Sequence, residues 1–355
     1  MSNRRFNVVD LFAGVGGLSL GFEMLGARTL VANEYDPSIA ESYKKNRPDV
    51  NMLVADITKL NVKETFSPYK GLVDVVVGGP PCQGFSQKGK RKSINDERNF
   101  LFRYYVEVVK LLKPTYFVME NVPNLLTTEN GFFKEEIENL FKEIGYAINP
   151  MVLNASDYGV PQNRHRAVII GKLGESKVEM IKPFASKVSA WDAIGDLAFL
   201  NSGEGSFEQK YSQKAVTEYQ RKARLGSKCL FNHCATAHSK EAIEKLKLIP
   251  PEKGKEYLPK DKLTKSIYSG TWSRIEKNKV SVTITTRFDT PSSGRFSHPY
   301  LNRAITVREA ARLQSFPDTF VFYGNKSSQM KQVGNAVPPL LAKAIAQSIV
   351  NDMEM

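Results

Sequence analysis

The stretch Asp10-Leu11-Phe12-Ala13-Gly14-Val15-Gly16-Gly17 decides the fold, and it stands directly after a short apolar run, Phe6 to Val9. A strand ended by an acid and glycines, followed by Gly17 to Leu25 and stopped by Gly26, predicts a strand–turn–helix opening. Glycines at such a turn let a ligand approach the backbone closely, although they also serve tight packing. The spacing is not Gly-x-Gly-x-x-Gly, and no Walker pattern occurs in the chain. A nucleoside cofactor is therefore favoured over a dinucleotide or a triphosphate. Glu34, at the end of the second predicted strand, would suit ribose hydroxyls. Asp56, after the third, would suit an adenine amino group.

Outward from this stretch, short apolar runs alternate with amphipathic segments as far as residue 171. Strands are predicted over Thr29 to Ala32, Met52 to Val54, Val73 to Val77, Tyr116 to Met119 and Ala167 to Ile170. Helices are predicted over Pro37 to Lys45, Asn99 to Leu112 and Phe132 to Ile144. Val- and Ile-rich runs alternating with helices indicate an α/β domain, its parallel sheet covered on both faces. Residues 172 to about 300 are richer in Lys, Ser and Gly, with short elements such as Val280 to Thr285, and predict a second, smaller domain. A helix follows from Ile305, and a last one from about Pro339 to Val350, opened by Pro338-Pro339.

Composition narrows the class. The 355 residues carry 50 Lys and Arg against 37 Asp and Glu, a net charge of +13. Between Lys172 and Arg295 there are 23 basic and 14 acidic residues, so most of the excess falls in the middle third. That suits a polyanion, because neutralised phosphates release counterions, although a solvated Lys-rich surface has the same look. No apolar run approaches the length of a membrane span. The opening Met1-Ser2-Asn3-Arg4-Arg5 predicts no signal peptide. Three cysteines in so long a chain indicate a reducing compartment rather than a disulfide framework.

Three further blocks carry chemistry. Gly78-Gly79-Pro80-Pro81-Cys82-Gln83-Gly84-Phe85-Ser86 follows the strand Val73 to Val77, so Cys82 is predicted at the carboxyl edge of the sheet, where sites form. Two prolines fix the chain before the thiol, which marks it as something other than a buried filler. Glu120-Asn121-Val122 follows the next strand and places a carboxylate at the same edge. A thiol with a nearby acid fits covalent attack assisted by protonation. In Gln162-Asn163-Arg164-His165-Arg166, alternation along an extended segment sends Gln162, Arg164 and Arg166 to one face. Guanidiniums there would hold an acid, a phosphate or a carbonyl oxygen.

Taken together, in this order and at these spacings, the blocks resemble the DNA cytosine-5 methyltransferase family. The likeness extends to Arg303-Ala304-Ile305-Thr306-Val307-Arg308-Glu309-Ala310-Ala311-Arg312-Leu313-Gln314-Ser315-Phe316-Pro317 and to Gln332-Val333-Gly334-Asn335-Ala336-Val337-Pro338-Pro339. It covers the chain except for roughly residues 172 to 280, and the size resembles the bacterial restriction–modification members. The resemblance implies a Rossmann-like, doubly wound methyltransferase sheet over 1–171, a target-recognition domain over 172–325, and a segment over 326–355 that returns to the first domain. It implies that Phe12, Gly14, Gly16, Gly17, Glu34, Asp56, Ile57 and Pro81 line an S-adenosyl-L-methionine site, closed by Asn335 and Ala336, with S-adenosyl-L-homocysteine as product. Cys82 would attack carbon 6 of a flipped cytosine in double-stranded DNA. Glu120 would protonate or hydrogen-bond nitrogen 3, Arg166 would hold the ring carbonyl, and Arg164 would orient acid and thiol. The enzyme would act as a monomer in a bacterial cytoplasm, with a cognate restriction endonuclease that forms no stable complex with it.

The segment Gly84 to Asn99 resembles the family's catalytic loop, with Ser86 and Arg98 expected at phosphates. Arg287 and Arg295, in the stretch from Thr285 to Arg295, are expected to contact DNA. The spacing Cys229-x-x-x-His233-Cys234-x-x-x-His238 suits zinc poorly, since adjacent ligands strain a tetrahedral site, so no metal is expected. Two other readings share these motifs: a tRNA cytosine-5 methyltransferase, and a catalytically silent DNA-binding homologue. The second would require loss of a chemical residue, yet Cys82, Glu120, Arg164 and Arg166 are all present. A nicotinamide-dependent oxidoreductase fails on the glycine spacing and gives Cys82 no role.

Overall fold

A computed structural model describes residues 6–81, 100–184, 186–263 and 270–355. Two compact units result. Unit 1 comprises Met1–Ala155, His165–Pro183 and Val337–Met355, and unit 2 comprises Ser156–Arg164 and Phe184–Ala336. The divisions therefore fall at other places than the expected 171 and 325. The short excursion over residues 156–164 belongs to unit 2, and the chain rejoins unit 1 at Val337 rather than at residue 326.

Unit 1 is built on β1 (Asn7–Leu11), α1 (Gly17–Glu23), β2 (Arg28–Glu34), α2 (Pro37–Asn46), β3 (Asn51–Val54), α3 (Val62–Phe66) and β4 (Val75–Gly78). Next come α4 (Leu101–Leu112), β5 (Tyr116–Asn121), α5 (Phe132–Glu143), β6 (Tyr146–Asn154) and β7 (His165–Leu173). The seven strands form one sheet in the order β3-β2-β1-β4-β5-β7-β6. The strands from β1 to β5 pair in parallel, whereas β7 runs antiparallel to both β5 and β6. The run Ala167 to Ile170, expected as one more parallel strand, is thus antiparallel, and its partner β6 was not anticipated. Pro150 and the polar Asn149 and Asn154 break up the apolar pattern of β6, as befits an edge strand.

Register explains one face of the sheet. Val9 stands beside Val31 and Val76, Val76 beside Phe117, and Met119 beside Ile169. All six join one apolar cluster with α3, α4 and α5, in which the Phe117 and Phe141 rings stack at 3.8 Å. Phe117 is admitted by Gly171, where a Cβ would lie 1.9 Å from the ring. Against α1 packs the last helix of the chain: a Cβ at Gly21 would lie 2.4 Å from the Ala342 Cβ. The order of strands reverses between β1 and β4, so the crevice outside their carboxyl ends is the expected ligand position of such a sheet.

Unit 2 holds the helices α6 (Ala190–Ile194), α7 (Glu218–Arg224), α8 (Lys240–Lys247), α9 (Val307–Leu313) and α10 (Lys326–Asn335), with β8 (Gly205–Gln209) paired to β9 (Leu230–Cys234). The final helix, α11 (Pro339–Met353), belongs to unit 1. Every residue of α9 is buried, including Arg308, Glu309 and Arg312. The segment Val280 to Thr285 forms no strand and touches the Gln162 backbone only through an isolated bridge at Ser281.

Candidate active site at the carboxyl edge of the sheet

Unit 1 brings the ends of β1, β2, β4 and β5 side by side, and with them most of the predicted side chains. The turn after β1 is unusual backbone. Phe12, Gly14 and Gly16 have φ of 54°, 56° and 84°, in the left-handed region that costs a non-glycine residue such as Phe12 strain. Three amides of the turn are nevertheless bonded. The Ala13 N–H donates to the Asn33 carbonyl at 2.9 Å, and the Gly16 N–H donates to the Ala13 carbonyl at 2.9 Å. The Gly14 N–H donates to Glu34 Oε2 at 2.8 Å, and Glu34 Oε1 accepts from the Asp36 N–H at 2.9 Å. Burial pushes the Glu34 carboxyl above its ordinary value, against the pull of these amide bonds. On one side the turn is open among the described residues, since a Cβ at Gly14 would meet none of them within 4 Å.

Asp56 follows β3 and caps the short turn of Ile57 by accepting from the Thr58 N–H and hydroxyl, at 3.0 and 2.8 Å. Ile57 is buried and Pro81 is exposed. Gly17 opens α1 and is buried.

At the end of β5, the Arg166 Nε donates to Glu120 Oε1 at 2.7 Å, and both side chains keep only a little solvent contact. The pairing follows from the antiparallel β7: Glu120 faces Val168 and Asn121 faces Ala167, so the start of β7 lies at the carboxyl end of β5. Gly79 makes room, because a Cβ there would lie 3.0 Å from Glu120 Oε2. Asn121 was not singled out by the sequence, yet its Nδ2 donates to the Pro80 carbonyl at 2.7 Å and ties the strand before the thiol to β5. Asp10 was missed too. It is buried at the end of β1, its Oδ2 has no hydrogen-bond partner, and burial pushes its carboxyl up to about 7. An acid after a strand was legible; its enclosure was not.

Cys82, Ser86 and Arg98 lie outside the described residues. Within unit 2, the Arg164 guanidinium donates to the carbonyls of Ile284 and Gly334, at 2.9 and 2.7 Å. Gln162 accepts from the Ile284 N–H at 2.6 Å and donates to the Leu313 carbonyl at 3.1 Å. Both are buried. Asn335 is exposed at the end of α10, and Ala336 follows it. Arg287 is exposed, whereas Arg295 is half-buried and paired with Glu276 at 3.0 Å. His233 meets the Thr306 hydroxyl at 2.9 Å, and His238 Nε2 accepts from the Ala304 N–H at 3.0 Å, so each has a structural use.

A sheet that reverses between β1 and β4, with a glycine turn, a carboxylate and a guanidinium at one edge, is shared by many enzymes. The family pattern described as C-5 cytosine-specific DNA methylase matches residues 6–351. The chain belongs to that family. It is 40% identical over 348 residues to the Type II methyltransferase M1.HphI of Haemophilus parahaemolyticus, a match spanning 96% of this chain and 86% of the relative. It is 36% identical over 371 residues to the Type II methyltransferase M.DdeI of Desulfomicrobium norvegicum, spanning 97% and 88%. Among solved structures, a DNA modification methyltransferase encoded within an Escherichia coli prophage superposes with a TM-score of 0.80 at 29% identity, over 99% of this chain and 100% of that one. The seven-stranded sheet is thus the methyltransferase sheet, and the protein is a bacterial DNA cytosine-5 methyltransferase of the restriction–modification kind. Its substrate is DNA and it requires a methyl donor. Among the described residues no helix is long and apolar enough to cross a membrane.

Proposed function

We propose that the protein transfers the methyl group of S-adenosyl-L-methionine to carbon 5 of one cytosine in a specific duplex sequence, using Cys82 as nucleophile and Glu120 with Arg166 as the cytosine-holding pair. The observation that carries this is the 2.7 Å Arg166–Glu120 contact at the end of β5, beside the Pro80 carbonyl that Asn121 holds two residues before the thiol.

The residues of the β1–β2–β3 edge fit the donor. Open space beside Gly14 would receive it, the Glu34 carboxylate sits where ribose hydroxyls would reach, and Phe12, Asp56 and Ile57 suit a purine ring and its amino group. When bound, S-adenosyl-L-methionine supplies an electrophilic sulfonium methyl group. Gly16, Gly17 and Pro81 complete the lining, with Asn335 and Ala336 as its carboxyl-terminal part.

The protein's own part begins with the substrate. Carbon 5 is out of reach inside a duplex, so the cytosine leaves the stack at a cost of a few kcal/mol. The Cys82 thiolate adds to carbon 6 while Glu120 supplies a proton to nitrogen 3, which turns carbon 5 into an enamine nucleophile. Arg166 holds the ring carbonyl and, through its bond to Glu120, fixes the angle of the acid. Once carbon 5 is methylated, water takes up its proton, Cys82 departs as thiolate and nitrogen 3 returns its proton to Glu120, which restores the ring. Arg164 orients these groups. Unit 2 reads the sequence, Ser86, Arg98, Arg287 and Arg295 meet the DNA, and the enzyme works as a cytoplasmic monomer beside a separate endonuclease.

Incubation with labelled S-adenosyl-L-methionine and duplex DNA tests the reading. 5-Methylcytosine is expected from the wild type and none from Cys82→Ala. Full activity of Cys82→Ala, or transfer to tRNA in preference to duplex DNA, would overturn it.

A further inference from the structure

The two sides of the β1–α1 turn differ. A Cβ at Gly14 would meet none of the described residues within 4 Å. A Cβ at Gly16 would lie 2.5 Å from the Tyr43 ring and 2.8 Å from Arg47 Nη1. Both residues belong to the end of α2, the crossover between β2 and β3, and both are buried. Arg47 reaches the turn with its two terminal nitrogens: Nη2 donates to the Gly16 carbonyl at 2.8 Å, and Nη1 to the Val15 carbonyl at 3.4 Å. Its Nε is held at 2.8 Å by Glu23 of α1, whose other oxygen accepts a second bond from the same nitrogen. Glu23 is itself fixed by the Thr29 hydroxyl at 2.7 Å. Ser19 adds a bond to the Gly16 carbonyl at 3.3 Å and meets the Tyr43 hydroxyl at 3.2 Å.

We propose that Arg47 is a positioning residue for methyl-donor binding: from behind, it locks the Val15 and Gly16 peptide planes and so holds the open face of the glycine turn in its ligand-ready shape. This rests on the assignment of that turn to the donor. A planar peptide has only one orientation left once its carbonyl is fixed. The left-handed Phe12 is costly and persists only where its surroundings over-determine it, while Gly14 and Gly16, free to adopt many shapes, need an outside contact to fix one. The fork geometry of a guanidinium bridges two carbonyls and a carboxylate at once; an ammonium has no such fork.

The test is a donor-affinity series on the whole enzyme, with Arg47→Met, Arg47→Lys and Glu23→Gln, and with Lys45→Met as a surface control on the same helix. Equilibrium binding of S-adenosyl-L-methionine and steady-state kinetics are read together. For Arg47→Met we expect the donor Kd and KM to rise about tenfold, the scale of removing one charge-assisted hydrogen bond. We expect kcat at saturating donor and the KM for DNA to stay within about twofold of wild type. Arg47→Lys should restore part of the loss, Glu23→Gln should show a smaller rise, and Lys45→Met none. Faster amide exchange confined to residues 13–17 is the accompanying signature. An unchanged donor Kd, a fall in kcat at constant donor KM, or a parallel rise in the donor and DNA KM would overturn the proposal and leave Arg47 a structural prop. If Arg47→Met does not fold, Arg47→Lys and Glu23→Gln decide by the same criteria. Failure of the underlying assignment looks different: the wild type itself would not bind S-adenosyl-L-methionine.

Discussion

Unit 1 and unit 2 place their charges in opposite ways. In unit 1 one face of the sheet is covered by an apolar cluster that encloses Val9, Val31, Val76, Phe117, Met119 and Ile169, and the Glu120–Arg166 pair stands at the sheet edge. The interior of unit 2 is ionic. Arg303 forks onto Glu309 at 2.7 and 2.8 Å, and Arg312 forks onto Asp318 at 2.6 Å and reaches Asp196 at 3.2 Å, all with no solvent contact. Arg308 spends its donors on the carbonyls of Phe231, Pro317 and Phe320. Under the proposed function, the same chemical pair serves chemistry in one unit and architecture in the other. What separates the two is enclosure: Arg166 and Glu120 keep some solvent contact, whereas these pairs of unit 2 keep none.

The comparison breaks most sharply at Glu120. In Glu120→Gln the amide keeps the shape and can still bond to Arg166, but it has no proton to give nitrogen 3. Methyl transfer should fall by about 10²–10⁴-fold, the range of a positioned acid, with thermal unfolding little changed. A variant with near wild-type kcat would show that the edge pair is architecture as well.

The converse holds at Arg312. Arg312→Met removes the guanidinium that Asp196 and Asp318 share, leaving Asp196 with Arg224 and Asp318 with the Tyr211 hydroxyl and Arg308, and a broken buried pair of this type costs about 3–5 kcal/mol. Both tryptophans, Trp191 and Trp272, lie in unit 2, so indole fluorescence follows that unit alone. Its urea midpoint should drop steeply. A midpoint within error of wild type would mean that the ionic interior is dispensable.

The same contrast explains what the sequence made legible. Runs such as Val73 to Val77 and Tyr116 to Met119 are long and apolar enough to announce buried strands, and the acids and glycines after them announce a site. Glu120 and Arg166 stand out by motif order, and they do meet. The direction of β7 was not legible, because an apolar run has the same pattern whether it runs parallel or antiparallel. In unit 2 periodicity fails for a stronger reason. The helix Val307–Leu313 reads as amphipathic, Arg308, Glu309 and Arg312 being polar, yet all its faces are enclosed. No composition rule predicts that Arg303, outside the helix, neutralises Glu309. Likewise Gln162 and Arg164 look like site residues by alternation with Arg166, but alternation carries no sign of the bonds that they also make around Ile284. Arg47 gave no signal, since a basic residue near the end of an exposed helix is commonplace.

The smallest effect is in the pH dependence, where the two units should slope in opposite directions. Burial lowers His233 to about 4 and His298 to about 3, against 6.5 for an ordinary histidine. His298 accepts the Tyr300 and Leu301 amides at Nδ1, so its proton sits on Nε2, 3.8 Å from Glu309. Below pH 6.5 the unfolded chain takes up protons that folded unit 2 refuses, so unit 2 loses stability as the pH falls from about 6.5. Burial alone would raise Glu309, but Arg303 outweighs it and holds the acid at about 2 against 4.5, which adds a further loss below about pH 4.5. Asp10 in unit 1 behaves inversely. Its folded value of about 7 lies above the ordinary 3.8, so between these limits the folded state holds a proton that the unfolded state has released. Its contribution to stability therefore declines as the pH rises from about 4 to about 7. Asp10→Asn keeps the shape and removes the titration. The difference between Asp10→Asn and wild type in the far-ultraviolet melting temperature should grow in favour of the variant across that window. Over the same window the indole-detected midpoint of wild type should rise. Parallel slopes for the two readouts would show that the enclosed acid of unit 1 and the enclosed histidines of unit 2 do not titrate as their burial demands.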